Sequence, residues 1–267
     1  MTSTNNRPLQ NQSVSELVHL FNNKCIEKKK LGSYGASTKF RDNPDDDYWR
    51  MPDTFLKDPA PRDEIDDLDR RAREPPFNFA NGLPPDYLEF LRTTNGIYAI
   101  DRADDGDEIF RPAHLVELMD EEDWNCELLP KEMLEDCDVE IDWPELNGLI
   151  HIGAGGDEGY HWLVSPHTTK AAIAAFDDAY DKASDADKEK LEKAANELYS
   201  GLTEMRRLEY SVFRVYHWAA QIEAFASFKH LLEDFVTGMD EIKEEDDDED
   251  EEGTENDDSD ESADKET

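Results

Sequence analysis

Apolar positions along this chain recur at two spacings, one helical and one extended. From Val14 to Lys30, Val14, Leu17, Val18, Phe21, Cys25 and Ile26 share one side of a helix. It ends in Lys28-Lys29-Lys30, a cationic run suited to a helix C-terminus, with Gly32 placed to cap it. The run from Leu83 to Gly96 predicts a second helix with its own punctuation. Pro84 and Pro85 suit a first turn, where a missing N–H costs nothing, and Asp86 lies where the helix dipole favours negative charge. Tyr87, Leu88, Phe90, Leu91 and Thr94 form its buried side, with Glu89 and Arg92 in water. Asn95-Gly96, which enters the left-handed conformation cheaply, ends it.

The pattern then shortens. Ile97–Ile100 and Ile109-Phe110 predict strands, and Ala113 to Asp123 predicts a helix carrying Leu115, Val116, Leu118 and Met119. Trp143-Pro144 to Gly148 turns the chain into a hairpin. Its strands are Leu149–Ile152 and Tyr160–Val164, joined by a turn rich in glycine that includes Gly156 and Gly159. Ala171–Ala183 is helical with Ile173, Phe176 and Tyr180 on one face. Ser184 caps a further helix through Asp187, with Leu191, Ala194, Ala195 and Leu198 inward and Gly201 as its stop. Tyr210–Trp218 alternates as a strand, and Phe225–Val236 predicts a last helix capped by Ser227, with Phe228, Leu231, Leu232 and Phe235 inward.

Four segments in this order resemble the SUKH superfamily, which takes in fungal cell-wall assembly regulators and bacterial toxin-immunity proteins. They are a short helix around Glu64, Ile65, Leu68 and Arg71, the Leu83-Pro84 helix ending in Asn95-Gly96, the hairpin with Gly156, Gly159 and Trp162, and the closing Ser227-Phe228 helix. The resemblance covers roughly residues 60 to 238. It implies an α+β fold, a bent mixed or antiparallel sheet with helices on one side, used for protein recognition without catalysis. Scaffolding in signalling and cell-wall control is what fungal relatives suggest, and neutralising a toxin by contact is what bacterial ones suggest. Family members share core and turn positions, here Leu83, Pro84, Tyr87, Phe90, Leu91, Asn95, Gly96, Gly156, Gly159 and Trp162. Many relatives pass from hairpin to next strand more directly, so residues 168–206 are a helical insertion, set into the sheet or packed on its face. That insertion and an acidic tail fit a fungal member better than a compact immunity protein.

Charge divides the chain further. Its formal net charge is −39. From Asp240 to Thr267 there are 18 acidic and 2 basic residues, so this tail has almost nothing to bury and repels itself. The remainder, with 49 acidic and 26 basic residues, is acidic too, which argues against phosphate-directed nucleic-acid binding. Four segments follow: a flexible N-terminus over 1–12, a helix and proline-rich arm over 13–63, the SUKH-like domain over 64–238 and an unfolded acidic tail over 239–267. The arm, with Tyr48, Trp49 and Phe55, either lies on the domain surface or stays unstructured until a partner binds. No run approaches the roughly 18 apolar residues of a membrane helix, and Met1 to Asn11 lacks a signal-peptide core. Cytoplasm, with the nucleus as alternative, is the expected compartment.

Candidate chemistry is sparse. The glycines from Gly153 to Gly159 lead into a strand rather than a helix and share their loop with Asp157 and Glu158, which would repel phosphate. Asp101 to Glu108 lacks the spacing and the bidentate glutamate of a calcium loop. His151 and His161 could face each other across the hairpin, but no third ligand is spaced to join them, and no nucleophile motif is present. Acidic neighbours should raise the Cys126 and Cys137 thiols. The expectation is therefore no enzyme, no metal and no cofactor, and a protein partner, a basic one suiting the charge. Asp104, Asp105, Asp107, Asp157 and Glu158 are the expected contact residues. The tail is either a solubilising end or an electrostatic lure for a basic partner, which would make the protein an acidic chaperone or nucleic-acid mimic. Thr254 and Ser259, followed by acidic residues, suit an acid-directed kinase.

Overall fold

The computed structural model describes residues 8–30, 53–98, 108–155, 159–216 and 219–241. In order these form α1 (Val14–Lys30), α2 (Arg62–Arg73), α3 (Pro85–Thr93), β1 (Ile97–Tyr98), β2 (Glu108–Phe110), β3 (Glu117–Asn125), β4 (Glu145–Gly155), β5 (Gly159–Val164), α4 (Pro166–Lys182), α5 (Asp185–Tyr199), α6 (Leu202–Met205), β6 (Ser211–Tyr216), β7 (Gln221–Phe225) and α7 (Phe228–Glu241). The fold is α+β. Five strands form an antiparallel sheet in chain order, β3-β4-β5-β6-β7, and β1 and β2 pair separately.

Both faces of the sheet are covered, which corrects the expectation of helices on one side. Ile150, Ile152, Leu163 and Val212 pack with α1, α2, α3 and α7. Leu149, Trp162, Val164, Phe213 and Val215 point the other way, against α4, α5, α6 and residues 126–129. This is the period-two alternation of a sheet buried on both sides. The helices between β5 and β6 leave the ladder intact, because those two strands pair directly from Gly159–Tyr216 to Val164–Ser211. They therefore pack on a face and do not enter the sheet.

The Leu83 helix forms as expected, with Pro85 at its first position and Tyr87, Phe90 and Leu91 buried. Its surroundings change two readings. Glu89 is half-buried and accepts a hydrogen bond from the Ser15 N–H (3.1 Å), tying α3 to the start of α1. Asn95 is a clamp more than a stop: its Oδ1 accepts from the Ala113 N–H (2.7 Å) and its Nδ2 donates to Glu64 (3.3 Å). Gly96 alone takes the left-handed turn, at φ +106°, where a Cβ would meet the Phe110 carbonyl oxygen at 2.5 Å.

One carboxylate joins α3, α7 and Tyr210. Asp86 accepts from the Tyr87 N–H (3.0 Å), from the Lys229 N–H in the first turn of α7 (2.9 Å) and from the Tyr210 hydroxyl (2.8 Å). It thus serves two helix N-termini at once, where the dipoles favour negative charge. Burial first, then the Asp86 charge, pushes the Tyr210 phenol well above its usual range. Ser227 caps α7 as expected, accepting from the His230 N–H (3.1 Å), and Ser184 caps α5 through the Asp187 N–H (3.2 Å).

Two segments depart from their expected type. Residues 113–123 form a 3-10 turn at Ala113–Leu115 and then strand β3, not a helix. Leu118 packs toward one core and Met119 toward the other, while Leu115 is 50% exposed. An apolar run this short suits either period, and the eleven-residue β4, which needs a backbone partner, decides it. β7 went unforeseen: Phe225 is a strand residue, and the last helix starts at Phe228 and runs on to Glu241. The described part of the arm lies on the domain. Phe55 is fully buried, its N–H donates to Asn22 (2.8 Å), and the Ala60 N–H donates to Leu91 (2.9 Å). Tyr48 and Trp49 lie outside the described residues, as does Gly32.

Candidate protein-binding surface

The hairpin histidines do not converge. In the β4–β5 ladder His151 lies opposite Trp162, and Gly153 lies opposite His161, with a register shift between them. Facing residues share a side and neighbours alternate, so the two imidazoles point to opposite faces of the sheet. His161 is fully buried among Phe110 (5.4 Å between ring centroids) and Phe235 (5.2 Å). Its Nδ1–H donates to the Ile109 carbonyl (3.2 Å), while Nε2 has no partner. Burial, helped by the Arg214 charge, pushes its pKa down to about 3. His151 donates from Nε2 to the Gly153 carbonyl (2.9 Å) and turns Nδ1 toward Glu117 (3.5 Å). Burial and then the Arg111 charge hold it below its usual pKa. An acid–base or metal pair across the hairpin is not formed.

His161 makes a testable contribution to acid stability. Unfolded, its imidazole titrates near the ordinary 6.5; folded, near 3. Between those values the unfolded chain binds a proton that the native chain refuses. Stability is therefore complete above pH 6.5 and falls as pH drops, by about 1.4 kcal/mol per pH unit from this group. His161→Phe is expected to flatten that fall by one proton between pH 6.5 and pH 4, read by urea unfolding across the range. An unchanged slope would assign the acid sensitivity elsewhere.

The cysteines are shielded thiols. Burial pushes Cys25 and Cys126 up to about 12. Of the acidic neighbours expected from the sequence only Asp138 acts, at Cys137, where burial raises the pKa first and Asp187, brought in by α5, adds more. Among the described residues, no group of three or more His, Cys, Asp or Glu side chains is placed to hold a metal ion.

The expected contact residues Asp104, Asp105, Asp107, Asp157 and Glu158 lie outside the described residues, as do Gly156, Thr254 and Ser259. Their stems are described, and they adjoin. β2 runs beside the end of β4: the Arg111 N–H donates to the Ile152 carbonyl (2.8 Å), and His161 reaches Ile109 from β5. Following β2 back from Arg111 to Glu108 therefore follows β4 forward from Ile152 to Gly155. Glu108 and Gly155, where the described residues stop, are therefore close neighbours in the fold. Gly153 permits this approach, since a Cβ there would stand 2.0 Å from the Ile109 carbonyl oxygen. Lys57 fastens the stem, pairing with Glu108 and lying over the Tyr98 ring at 4.6 Å. Two stretches about 50 residues apart in sequence thus have adjoining described stems, a meeting no local pattern announces.

A groove beside the signature helix was not foreseen. It is a cavity of about 380 Å³ with apolar walls from Phe79, Leu83, Pro84 and Tyr210 and a polar rim that includes His167 and Lys170. In the sequence the two prolines marked only a helix start; Pro84 is buried in the groove wall and Pro85 beside it is exposed. Trp162 is buried on the α4–α5 side of the sheet and Gly159 opens β5. No helix among the described residues is long and apolar enough to cross a membrane. Comparison of the chain with protein-family models, curated proteins and solved structures gave no match.

Proposed function

We propose that this protein is a non-catalytic protein-binding and scaffolding module of the SUKH type, acting in intracellular signalling or cell-wall assembly regulation. The observation that carries the reading is the meeting of the signature segments. Asp86 of the Leu-Pro helix caps the closing helix, and Phe90 packs on Phe228 at 5.0 Å. These segments build the core, and on this reading the contact region lies on the surface outside them. The acidic loops holding Asp104, Asp105, Asp107, Asp157 and Glu158 are the proposed contact region, for a basic protein partner. Charge complementarity would give such a contact fast association and strong salt dependence.

The acidic tail favours a second reading, an acidic chaperone that sequesters a basic protein through residues 242–267. Truncation separates the two. The cut belongs after Glu241, because Met239 is buried and Asp240 bonds Lys24. Affinity capture is run with the full chain, the truncated chain and a variant with the five loop acids changed to Asn or Gln, at roughly 0.1 M and roughly 0.5 M salt. A partner held by the truncated chain and lost by the loop variant is the expected result. Loss on truncation alone would overturn the loop surface in favour of the tail.

A further inference from the structure

The groove beside α3 is built from three pieces, each fastened to a different part of the fold. Residues 79–84 are clipped to α2. The Phe79 N–H donates to the Ala72 carbonyl (3.0 Å), the Arg73 guanidinium to the Ala80 carbonyl (3.1 Å) and the Leu83 N–H to Asp69 (2.7 Å). The start of α4 is clipped to β4, since the Ser165 and Thr168 hydroxyls both donate to the Asn147 carbonyl (3.1 and 2.7 Å). Tyr210, the third piece, is held through its hydroxyl on Asp86 (2.8 Å). Pro84 and Pro166 fix the backbone in two of these pieces. The cavity is therefore formed before anything enters it, which removes an ordering cost from binding.

Its rim carries two exposed charges, Lys170 on α4 and Glu209 just before β6. Among the described residues neither is in an ion pair or a side-chain hydrogen bond. By contrast, Lys182 further along α4 and Lys190 on α5 are paired with Asp178 and Asp187. These two charges select the occupant. A wholly apolar ligand would strip water from both and return nothing. An anion would face Glu209 and a chain of net charge −39, and a cation would face Lys170. A ligand with one charge of each sign answers both and, being neutral overall, is not repelled by the chain. We propose that this groove binds a short zwitterionic peptide, its apolar side chains on Phe79, Leu83 and Pro84, its carboxylate on Lys170 and its ammonium on Glu209. The exposed Asn81 amide on the rim offers a donor and an acceptor to the peptide group between. At about 380 Å³ the cavity lies at the lower end of small-ligand sites, roughly 300–1,000 Å³, which suits a di- or tripeptide. The site uses none of the acidic-loop residues and goes beyond the protein-binding reading.

Titration of the full chain with the dipeptide Leu-Leu tests this, followed by backbone amide signals. N-acetyl-Leu-Leu and Leu-Leu amide, each lacking one charge, are titrated alongside. Saturable shifts confined to residues around 79–84, 166–170 and 209–210 are expected, with each blocked analogue weaker on the order of fivefold. Lys170→Gln should bind Leu-Leu and its amide equally, and Glu209→Gln should bind Leu-Leu and its acetyl form equally. Both side chains are exposed and unpaired, so the variants keep the natural amide spectrum elsewhere. A chain with the five loop acids neutralised should bind the dipeptide normally, whatever becomes of its protein partner. No saturable shift at millimolar Leu-Leu, blocked analogues that bind as tightly, or discrimination retained by either variant would each overturn the proposal.

Discussion

Gly153→Ala is expected to cost about 3 kcal/mol or more of stability, an unusual loss for one added methyl group. The methyl would stand 2.0 Å from the Ile109 carbonyl oxygen and 3.0 Å from the Phe110 Cα. Both are backbone atoms, so no flexible side chain can yield. β2 must move off β4, and it carries two connections with it. One is the Arg111–Ile152 backbone bond and the other is the bond that partners the buried His161 ring. A buried imidazole left without its acceptor adds a desolvation cost of about 1–3 kcal/mol. Urea unfolding of the variant measures the loss. A cost under about 1 kcal/mol would show that β2 does not rest on Gly153. The same change separates the stems of the two acidic loops, so partner capture should weaken even in variant molecules that remain folded.

Phe228→Ala is expected to remove about 3–5 kcal/mol, a large share of the roughly 5–15 kcal/mol that a native domain holds. Phe228 is fully buried and sits where three elements meet, with ring centroids 5.1 Å from Tyr87, 5.0 Å from Phe90 and 5.4 Å from Phe110. All three contacts are edge-on, the arrangement that aromatic quadrupoles prefer, and are worth more than the area they bury. Truncation leaves rigid rings around a void that they cannot close. Phe228→Leu should recover a good part of the loss, because volume matters more here than aromaticity. Thermal and urea unfolding of both variants checks this, and equal losses in the two would contradict it.

The elements read most reliably from the sequence were those carrying their own punctuation. Pro85, by lacking an N–H, and Asp86, by accepting one, opened the Leu83 helix, while Ser184 opened α5 and Ser227 opened α7 by accepting backbone N–H groups three residues on. The β4–β5 hairpin showed itself through a glycine-rich turn between apolar runs. Failures came where the deciding partner was distant. Residues 117–125 are a strand because β4 pairs with them, and β7 exists because β6 offers an edge. Glu89 and Asn95 looked like surface and turn residues until the Ser15 and Ala113 amides appeared beside them. His151 and His161 looked like a facing pair because their spacing straddles a hairpin. The register placed them on opposite sides of the sheet.

By itself the sequence determined the helix and hairpin boundaries set by local capping, the burial of Tyr87, Phe90, Leu91 and Trp162, and the concentration of charge at the C-terminal end. Those depend on interactions spanning a few residues, which composition and spacing encode directly. Only the tertiary structure decided that helices cover both sheet faces, that one carboxylate caps two helices, and that the stems of two acidic loops adjoin over Gly153. Each of these rests on a backbone group or charge meeting a partner from far along the chain. Such meetings are selected by the packing of the whole molecule, and no local period records them.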